Sequence, residues 1–204
     1  MSTLIDEIIA LEWRAFDKVR NEGGRADCQD DFGTFEIMRK SQFLSWDAAT
    51  RDAYYNDLLR ATLAGRNLIQ EKYARMMAST APAQYATFAH TLPALNPGQL
   101  ATIEEIIAQQ LAWREAFARE WPHMSSQARL IRTEEDTPWG TSFETYLRGE
   151  LGTYSEATLG AYRQMIADLR ARGDNLTTIA MDHTARLYGY ADLASAEAKL
   201  AAAA

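Results

Sequence analysis

Residues Gly65-Arg66-Asn67-Leu68 recur as Gly173-Asp174-Asn175-Leu176, at an offset of 108 positions (173 − 65). The same offset places Phe35-Glu36 on Phe143-Glu144, and nine of the 34 residues from 35 to 68 are identical to their counterparts. Self-similarity at a fixed offset indicates that one structural unit is used more than once. The repeat therefore predicts two tandem halves with the same order of elements.

Apolar residues in both halves follow helical spacing. The first predicted helix, about residues 3–20, carries an apolar stripe made of Leu4, Ile5, Ile8, Ile9, Phe16 and Val19. Alternating β-branched runs, which mark strands, are missing from the sequence. We therefore predict an all-α fold: a single helical domain whose duplicated halves span about 1–92 and 97–204. The segment from Pro93 to Pro97 would connect them, and Phe35 should overlie Phe143.

Further helices are predicted from periodicity and from start and stop residues. They cover about 34–44, 46–78 with a break at Gly65, 97–121, 154–172 and 175–188, before a short alanine-rich helix. Two Thr-x-x-Glu patterns, at Thr141 and Thr153, predict capping boxes at helix starts.

Composition limits the classes of function. The 204 residues carry a net charge of −7, which argues against a nucleic-acid partner because such partners need clustered lysine and arginine. No apolar run approaches the roughly 20 residues of a membrane span, and the first residues lack the pattern of a secretion signal. The single cysteine, Cys28, cannot form an internal disulfide. We therefore expect a cytoplasmic protein with no membrane partner.

The loop of residues 21–31 is the least ordinary stretch of the sequence. It combines four carboxylates, one cysteine and one arginine: Glu22, Asp27, Asp30, Asp31, Cys28 and Arg25. Oxygen ligands at this density could hold a divalent cation or a cationic substrate, although the spacing does not fit a calcium-binding EF-hand loop. The alternative is that the carboxylates cap and complement the next helix.

Cys28 is a candidate nucleophile, because Arg25 and the start of the next helix would favour its thiolate. The nearby aspartates would oppose a second negative charge, so a small structural cysteine is the alternative. The three histidines lack metal-ligand spacing, and no transition-metal site is predicted.

Glu12 lies on the apolar stripe of the first helix, four residues from both Ile8 and Phe16. A carboxylate there is either buried with a partner or faces a polar cavity, unless the helix is rolled so that Glu12 reaches solvent. Buried carboxylates with shifted pKa values serve as general acids and bases. Glu12 is therefore a candidate catalytic residue.

Basic residues cluster along the second and third predicted helices, and some of them could converge on a carboxylate or phosphate if those helices pack together: Arg39, Lys40, Arg66, Lys72 and Arg75. In the alternative they lie on solvated faces, because Glu71 and Arg75 have the spacing of an ordinary helical ion pair.

Several stretches resemble a known family. They are Asn21–Arg25, Cys28–Asp31, Ile37–Gln42, Gly65–Leu68, Glu71–Met77, Glu144–Arg148, Thr153–Ser155 and Tyr188–Tyr190. Over nearly its whole length the chain thereby resembles the bacterial domain-of-unknown-function family DUF4125. That family has no assigned activity, so the resemblance implies no catalytic role for any residue.

The leading hypothesis is a cytoplasmic small-molecule enzyme of unknown reaction, with a polar pocket between the helical halves. Its candidate catalytic residues are Glu12, Cys28 and Asp30, and its candidate substrate-binding residues are Glu22, Arg25, Asp31, Arg39, Lys72 and Arg75. The side-chain heads of Glu12, Arg25, Asp30, Arg39 and Lys72 should then converge within one ligand's width. The alternative is a non-catalytic binding or regulatory module that acts through the acidic 21–31 loop. The sequence assigns no oligomeric state and no cofactor beyond the divalent cation considered above.

Overall fold

The computed structural model describes residues 3–20 and 24–203, and these residues form helices, short 3₁₀ turns and loops, with no β-strand among them. The α-helices of the described residues are α1 (Leu4–Phe16), α2 (Phe32–Leu44), α3 (Ala48–Leu63), α4 (Leu68–Thr80), α5 (Pro82–Phe88), α6 (Pro97–Glu120), α7 (Pro122–Ser126), α8 (Phe143–Leu151), α9 (Glu156–Arg172), α10 (Leu176–Leu187) and α11 (Leu193–Ala201). The predicted all-α class is confirmed.

Most of these helices begin where a side-chain oxygen accepts a hydrogen bond from a backbone N–H of the first turn. The capping residues are Thr3, Asp31, Asp47, Asn67, Asn96, Ser142, Ser155, Asn175 and Asp192. The predicted capping boxes at Thr141 and Thr153 are wrong, because Ser142 and Ser155 take the capping positions. Glu144 instead accepts a hydrogen bond from the Thr133 N–H at 3.0 Å.

The helix bounds differ from the predicted ones at a few points. α1 ends at Phe16 rather than near residue 20, and Gln29 Nε2 donates to the carbonyl oxygens of Phe16 and Val19 just beyond it, at 2.9 and 3.1 Å. The break predicted at Gly65 separates α3 from α4, and its φ of 69° is a conformation that favours glycine. α5 and α7 were not predicted, and each begins at a proline directly after another helix.

α1 and α6 are the central helices of the fold. α1 packs against α2, α3 and α4, while α6 packs against α8, α9 and α10. Between these two groups, α4 packs on α8, α2 on α10, and α3 on α9. A continuous apolar core runs through both groups and includes the buried Ile8, Phe43, Ile106, Leu151 and Leu159.

Some contacts between the two groups recur at the repeat offset. The Asp47 N–H donates to Met165 Sδ at 3.3 Å, and the Ser155 N–H, at the matched position, donates to Asp57 Oδ2 at 2.9 Å. Halves related by a two-fold rotation exchange contacts in this reciprocal way. The duplication itself stays a prediction.

Candidate functional site

Glu12 is completely buried on α1, and three hydrogen bonds satisfy its carboxylate. Arg39 of α2 supplies two of them, from Nε to Oε2 at 2.6 Å and from Nη2 to Oε1 at 2.5 Å. Tyr54 Oη of α3 donates to Oε1 at 2.6 Å. Of the alternatives raised for Glu12, the structure shows burial with a partner.

Glu150 of α8 brings a second buried carboxylate to the same arginine, and sequence analysis missed it. Arg39 Nη2 lies 3.4 Å from Glu150 Oε1, and Lys72 Nζ of α4 lies 3.5 Å from Oε2. Gln42 Nε2 and Tyr154 Oη each donate to Oε1 at 2.9 Å. The signal that could have found Glu150 is its match with Gln42 at the repeat offset, since equivalent residues of two related halves can meet on their shared axis.

Glu12, Arg39, Glu150 and Lys72 form what we call the buried ion network, with two positive and two negative side chains. Burial alone would raise the pKa of Glu150, but Arg39 and Lys72 lower it to about 2. Burial alone would lower the pKa of Arg39, but Glu12 and Glu150 hold it well above its usual value. Arg39 and Glu150 therefore stay charged at neutral pH, and their mutual attraction offsets the loss of hydration.

Lys72 links the buried ion network to a partly exposed residue, Tyr146 of α8. Lys72 Nζ donates to Tyr146 Oη at 2.7 Å, and the Arg129 guanidinium lies 4.8 Å from the centre of the same ring. Burial alone would lower the pKa of Lys72, but Tyr146 and Glu150 raise it above its usual value. Lys72 is therefore a fixed cation and cannot act as a base at neutral pH.

Tyr54 and Tyr154 are the phenols that donate to the two buried carboxylates. Burial raises the pKa of each phenol well above its usual value, and the neighbouring carboxylate, Glu12 or Glu150, adds to the effect. Both side chains therefore remain hydrogen-bond donors throughout the physiological pH range.

Gly149 of α8 and Gly152, which directly follows this helix, allow α4 to approach closely enough to bring Lys72 to Glu150. A Cβ at Gly149 would lie 2.8 Å from Met76 Cγ and 2.9 Å from the Lys72 carbonyl oxygen. A Cβ at Gly152 would lie 2.8 Å from Arg75 Cδ. A larger residue at Gly149 would push the two helices apart, because it would meet the backbone of α4, whereas one at Gly152 would displace the Arg75 side chain.

A cleft of about 630 Å³ adjoins this contact between α4 and α8. Its walls also include α5, the start of α6 and the segment 89–95, so both predicted halves contribute to it. The residues that line the cleft include Arg75, Tyr85, Leu95, Ile103, Glu104 and Arg148. The volume lies within the range of small-molecule sites in proteins.

Arg75 on the wall of this cleft has no carboxylate partner among the described residues, because the expected pair with Glu71 is not formed. Glu71 instead accepts two hydrogen bonds from Arg66, at 2.8 and 2.7 Å. Arg75 Nη2 donates to the Pro93 carbonyl oxygen at 2.6 Å, while its buried Nε has no acceptor in the protein. Burial lowers the pKa of Arg75. The guanidinium thus lacks a direct ion-pair partner among the described residues, although the Glu71 carboxylate opposes part of the effect of burial on its pKa.

Arg148, the other arginine of the cleft, is fully engaged. It meets Glu104 through Nε and Nη2, both at 2.9 Å, and Nη2 also donates to Glu144 at 2.9 Å. Ser79 and Thr145 are engaged too, because both donate to Asp136 Oδ2. These polar groups stabilise the walls of the cleft and leave Arg75 as its unpaired arginine.

Among the described residues, no ion pair joins the acidic loop to the buried ion network. Arg25 forms exposed ion pairs with Asp17 and Asp30, both at 2.8 Å. Asp31 accepts from the Thr34 N–H at 3.0 Å and caps α2, and this hydrogen bond lowers the pKa of its carboxyl. Glu12 and Arg39 are in direct contact and Lys72 is linked to Arg39 through Glu150, whereas Arg25 and Asp30 pair with each other at the surface. The convergence of all five side chains on one ligand stays a prediction.

Cys28 is exposed and forms no disulfide. Glu22 lies outside the described residues. Within the described residues, no cluster of three or more His, Cys, Asp or Glu side chains is placed to hold a metal ion. For Asp31 the capping alternative is the one the structure shows.

Arg114 of α6 is a second arginine without a carboxylate partner among the described residues, and it is only 5% exposed. Its Nε has no acceptor, and its guanidinium lies 5.7 and 5.8 Å from the ring centres of Phe117 and Phe143. Burial lowers its pKa. Sequence analysis missed it, although its helical spacing from Ile107 and Leu111 places it on the buried face.

These features define an all-α protein with a buried ion network at the contact between α4 and α8 and a cleft beside it. The chain belongs to the family described as Protein of unknown function (DUF4125), whose sequence profile matches residues 2–198. Searches of the curated proteins and of the solved structures gave no match. None of the described helices is long and apolar enough to cross a membrane.

Proposed function

We propose that the protein binds a small organic molecule in the cleft formed by α4, α5, α6 and α8. The observation that carries this proposal is the Arg75 guanidinium on the cleft wall, which has no facing carboxylate and an Nε without an acceptor. Among the described residues Arg75 has a single acceptor, the Pro93 carbonyl oxygen at Nη2, so the guanidinium keeps donors that an acceptor on a ligand could use. Small-molecule sites typically combine apolar walls with a few placed polar groups, as here.

The thin cover of the cleft supports the same proposal. α5 has no buried residue, and neither has the 3₁₀ turn Ala89–Thr91 that follows it. Segments with little buried surface open at low free-energy cost and are common over ligand sites. The hydrogen bond from Arg75 to the Pro93 carbonyl oxygen holds this cover to α4.

The second candidate is a small-molecule enzyme, as in the leading sequence hypothesis, but acting at Tyr146 rather than at the candidate catalytic residues Glu12, Cys28 and Asp30. One observation favours it, which is the hydrogen bond from the buried Lys72 ammonium to Tyr146 Oη at 2.7 Å. A fixed cation would stabilise the negative charge that develops if this phenol gives up a proton to a substrate. The module acting through the acidic 21–31 loop has less support, because Arg25, Asp30 and Asp31 already engage one another or cap α2.

We further propose a bacterial, cytoplasmic protein that has no nucleic-acid partner. The net charge of −7 and the single cysteine support this proposal.

We also infer that the two halves arose by duplication. The aromatic contacts support it: Trp46 lies 5.1 Å from Tyr162, and Tyr54, matched to Tyr162, lies 5.1 Å from Tyr154, matched to Trp46.

Thermal-shift screening of a small-molecule library tests cleft binding, since a ligand that binds the folded state raises the melting temperature. Ala78 lines the cleft and is exposed, so Ala78→Trp should fill it and abolish the shifts. Ala108→Trp on the exposed face of α6 is the matched control and should keep them. Hits that stabilise Ala78→Trp as well as the wild type would contradict the proposal. A Tyr146→Phe variant that loses the shifts while Ala78→Trp keeps them would favour the second candidate.

A further inference from the structure

We infer that the ligand of the cleft is a monocarboxylate with an apolar body, held by Arg75. This inference rests on the proposed function and adds the chemical class of the ligand. It follows from the charges that line the cleft, from the donors that Arg75 still has available, and from the apolar residues of the walls.

The charge of the ligand follows from the pairing of the two cleft arginines. Arg148 already faces two carboxylates, Glu104 and Glu144, each at 2.9 Å. Arg75 forms no ion pair among the described residues, and burial lowers its pKa, an effect that the Glu71 carboxylate, itself paired with Arg66, opposes only in part. One anionic group opposite Arg75 would balance the charge of its guanidinium.

A ligand with two negative charges fits less well. The carboxylate of Glu104 lines the cleft, and a phosphate or dicarboxylate would bring its second charge towards it without a free arginine to meet it. Like charges in a partly enclosed space repel strongly, so a single carboxylate is favoured over a dianion.

The donors of Arg75 match a carboxylate. Nη1 has no hydrogen-bond partner among the described residues, and Nη2 is held by one carbonyl oxygen, that of Pro93. A guanidinium binds a carboxylate through two donors, and such charge-assisted hydrogen bonds are about twice as strong as neutral ones. A ligand carboxylate would therefore replace the Pro93 carbonyl oxygen at Nη2 and add a bond at Nη1.

The apolar residues that line the cleft indicate that the rest of the ligand is apolar. Leu92, Leu95, Leu100 and Ile103 line the cleft, and Tyr85 adds an aromatic ring. Leu100 is 48% exposed, so a bound hydrocarbon would bury apolar surface that is now in water. Burying apolar surface contributes roughly 25 cal/mol per Å², so an aliphatic or aryl chain is favoured over a sugar or a polar amino acid.

Isothermal titration calorimetry tests this inference with hexanoate and 3-phenylpropionate as probes. Their amides, hexanamide and 3-phenylpropanamide, match them in shape without the charge, and phenyl phosphate supplies a dianion. We expect the two carboxylates to bind saturably at millimolar concentration, and the amides and phenyl phosphate to bind at least about tenfold more weakly. Arg75→Gln should weaken carboxylate binding by about tenfold or more, with Arg75→Lys between it and the wild type. Arg170→Gln, at an exposed arginine of α9, is the control and should bind as the wild type does.

Each contrary result has a separate meaning. If the amides bound as tightly as the acids, or if Arg75→Gln kept the wild-type affinity, the ligand would not be recognised through a carboxylate. The proposal that the cleft binds a small molecule would be unaffected. If phenyl phosphate bound more tightly than the two carboxylates, the inference that the ligand carries a single negative charge would be wrong. If none of the probes binds, the inference is wrong. Should the library screen with Ala78→Trp also show no cleft-dependent hit, the proposed function fails with it.

Discussion

Gln42 of α2 donates a hydrogen bond from Nε2 to Glu150 Oε1 of α8 at 2.9 Å, although 108 residues separate them. The two residues occupy matched positions of the predicted repeat, so the bond joins equivalent points of its halves. The same Glu150 lies between Arg39 and Lys72, which come from the other half. Separating the halves would leave buried charges unpaired, which favours unfolding of the whole chain in one step.

Breaking the pair between Glu12 and Arg39 should destabilise the protein strongly, because it leaves a buried charge without its partner. Glu12→Gln leaves Arg39 buried with only the more distant Glu150, and removing one partner of a buried pair typically costs about 3–5 kcal/mol. Urea denaturation followed by circular dichroism measures the loss. Arg39→Met alone should be similarly destabilised, and the double variant should lose less than the two single losses added together. Fully additive losses would mean that the two side chains act independently.

Arg114 should behave in the opposite way when it is removed. No described carboxylate depends on it, and its Nε has no acceptor, so Arg114→Met removes a buried charge without leaving a partner behind. Replacing poorly compensated buried charges with apolar side chains of similar volume is often neutral or stabilising by about 1–4 kcal/mol. Urea denaturation should give a midpoint at or above that of the wild type. A clear loss of stability would show that Arg114 has a role that its contacts do not reveal.

Glu150 should make the protein sensitive to acid. Its pKa in the folded state is about 2, below its usual value of 4.5, so it binds a proton less readily folded than unfolded. This contribution to stability is present above pH 4.5 and is lost as the pH falls towards 2. The shift corresponds to about 3 kcal/mol. Stability measured across this range should therefore fall more steeply in the wild type than in Glu150→Gln. Glu120→Gln, at an exposed carboxylate of α6, is the control and should keep the wild-type slope. Equal slopes in wild type and Glu150→Gln would contradict the assignment.

The fold could be predicted from the sequence where the signals are local. The apolar stripe of α1, the break at Gly65 and the Asn96 start of α6 are each set by neighbouring residues, and each lies close to where it was expected. The capping positions at Ser142 and Ser155 were missed because a threonine nearby offers the same chemistry, and the tertiary packing decides between them.

The site could be predicted only in part, because its pairings join distant parts of the chain. Glu12 was identified from its place on an apolar stripe, but its partner Arg39 is 27 residues away. The Glu71–Arg75 pair was expected from the usual helical spacing of ion pairs. Glu71 instead accepts from Arg66, and Arg75 lies on the wall of the cleft without an ion-pair partner among the described residues. Spacing along a helix shows which side chains can reach each other, but it does not show which of two possible partners forms the ion pair.

Gly149 and Gly152 should be intolerant of substitution, since α4 approaches them more closely than a side chain allows. In Gly149→Ala the new Cβ would lie 2.9 Å from the Lys72 backbone oxygen, which cannot move without the helix. We expect a loss of about 1–3 kcal/mol, measured by urea denaturation, as for other overpacked sites. In Gly152→Ala the new Cβ would meet Arg75 Cδ at 2.8 Å, so this variant should also weaken 3-phenylpropionate binding by displacing Arg75.

Gly160 of α9 is the matched control for both variants. It lies inside a helix, it is exposed, and a Cβ there would meet nothing within 4 Å. Because alanine has the higher helix propensity, Gly160→Ala should be more stable than the wild type by about 0.5–1 kcal/mol. If Gly149→Ala gained stability as Gly160→Ala should, α4 and α8 would not be in close contact. The placement of Lys72 against Glu150 would then have to be abandoned.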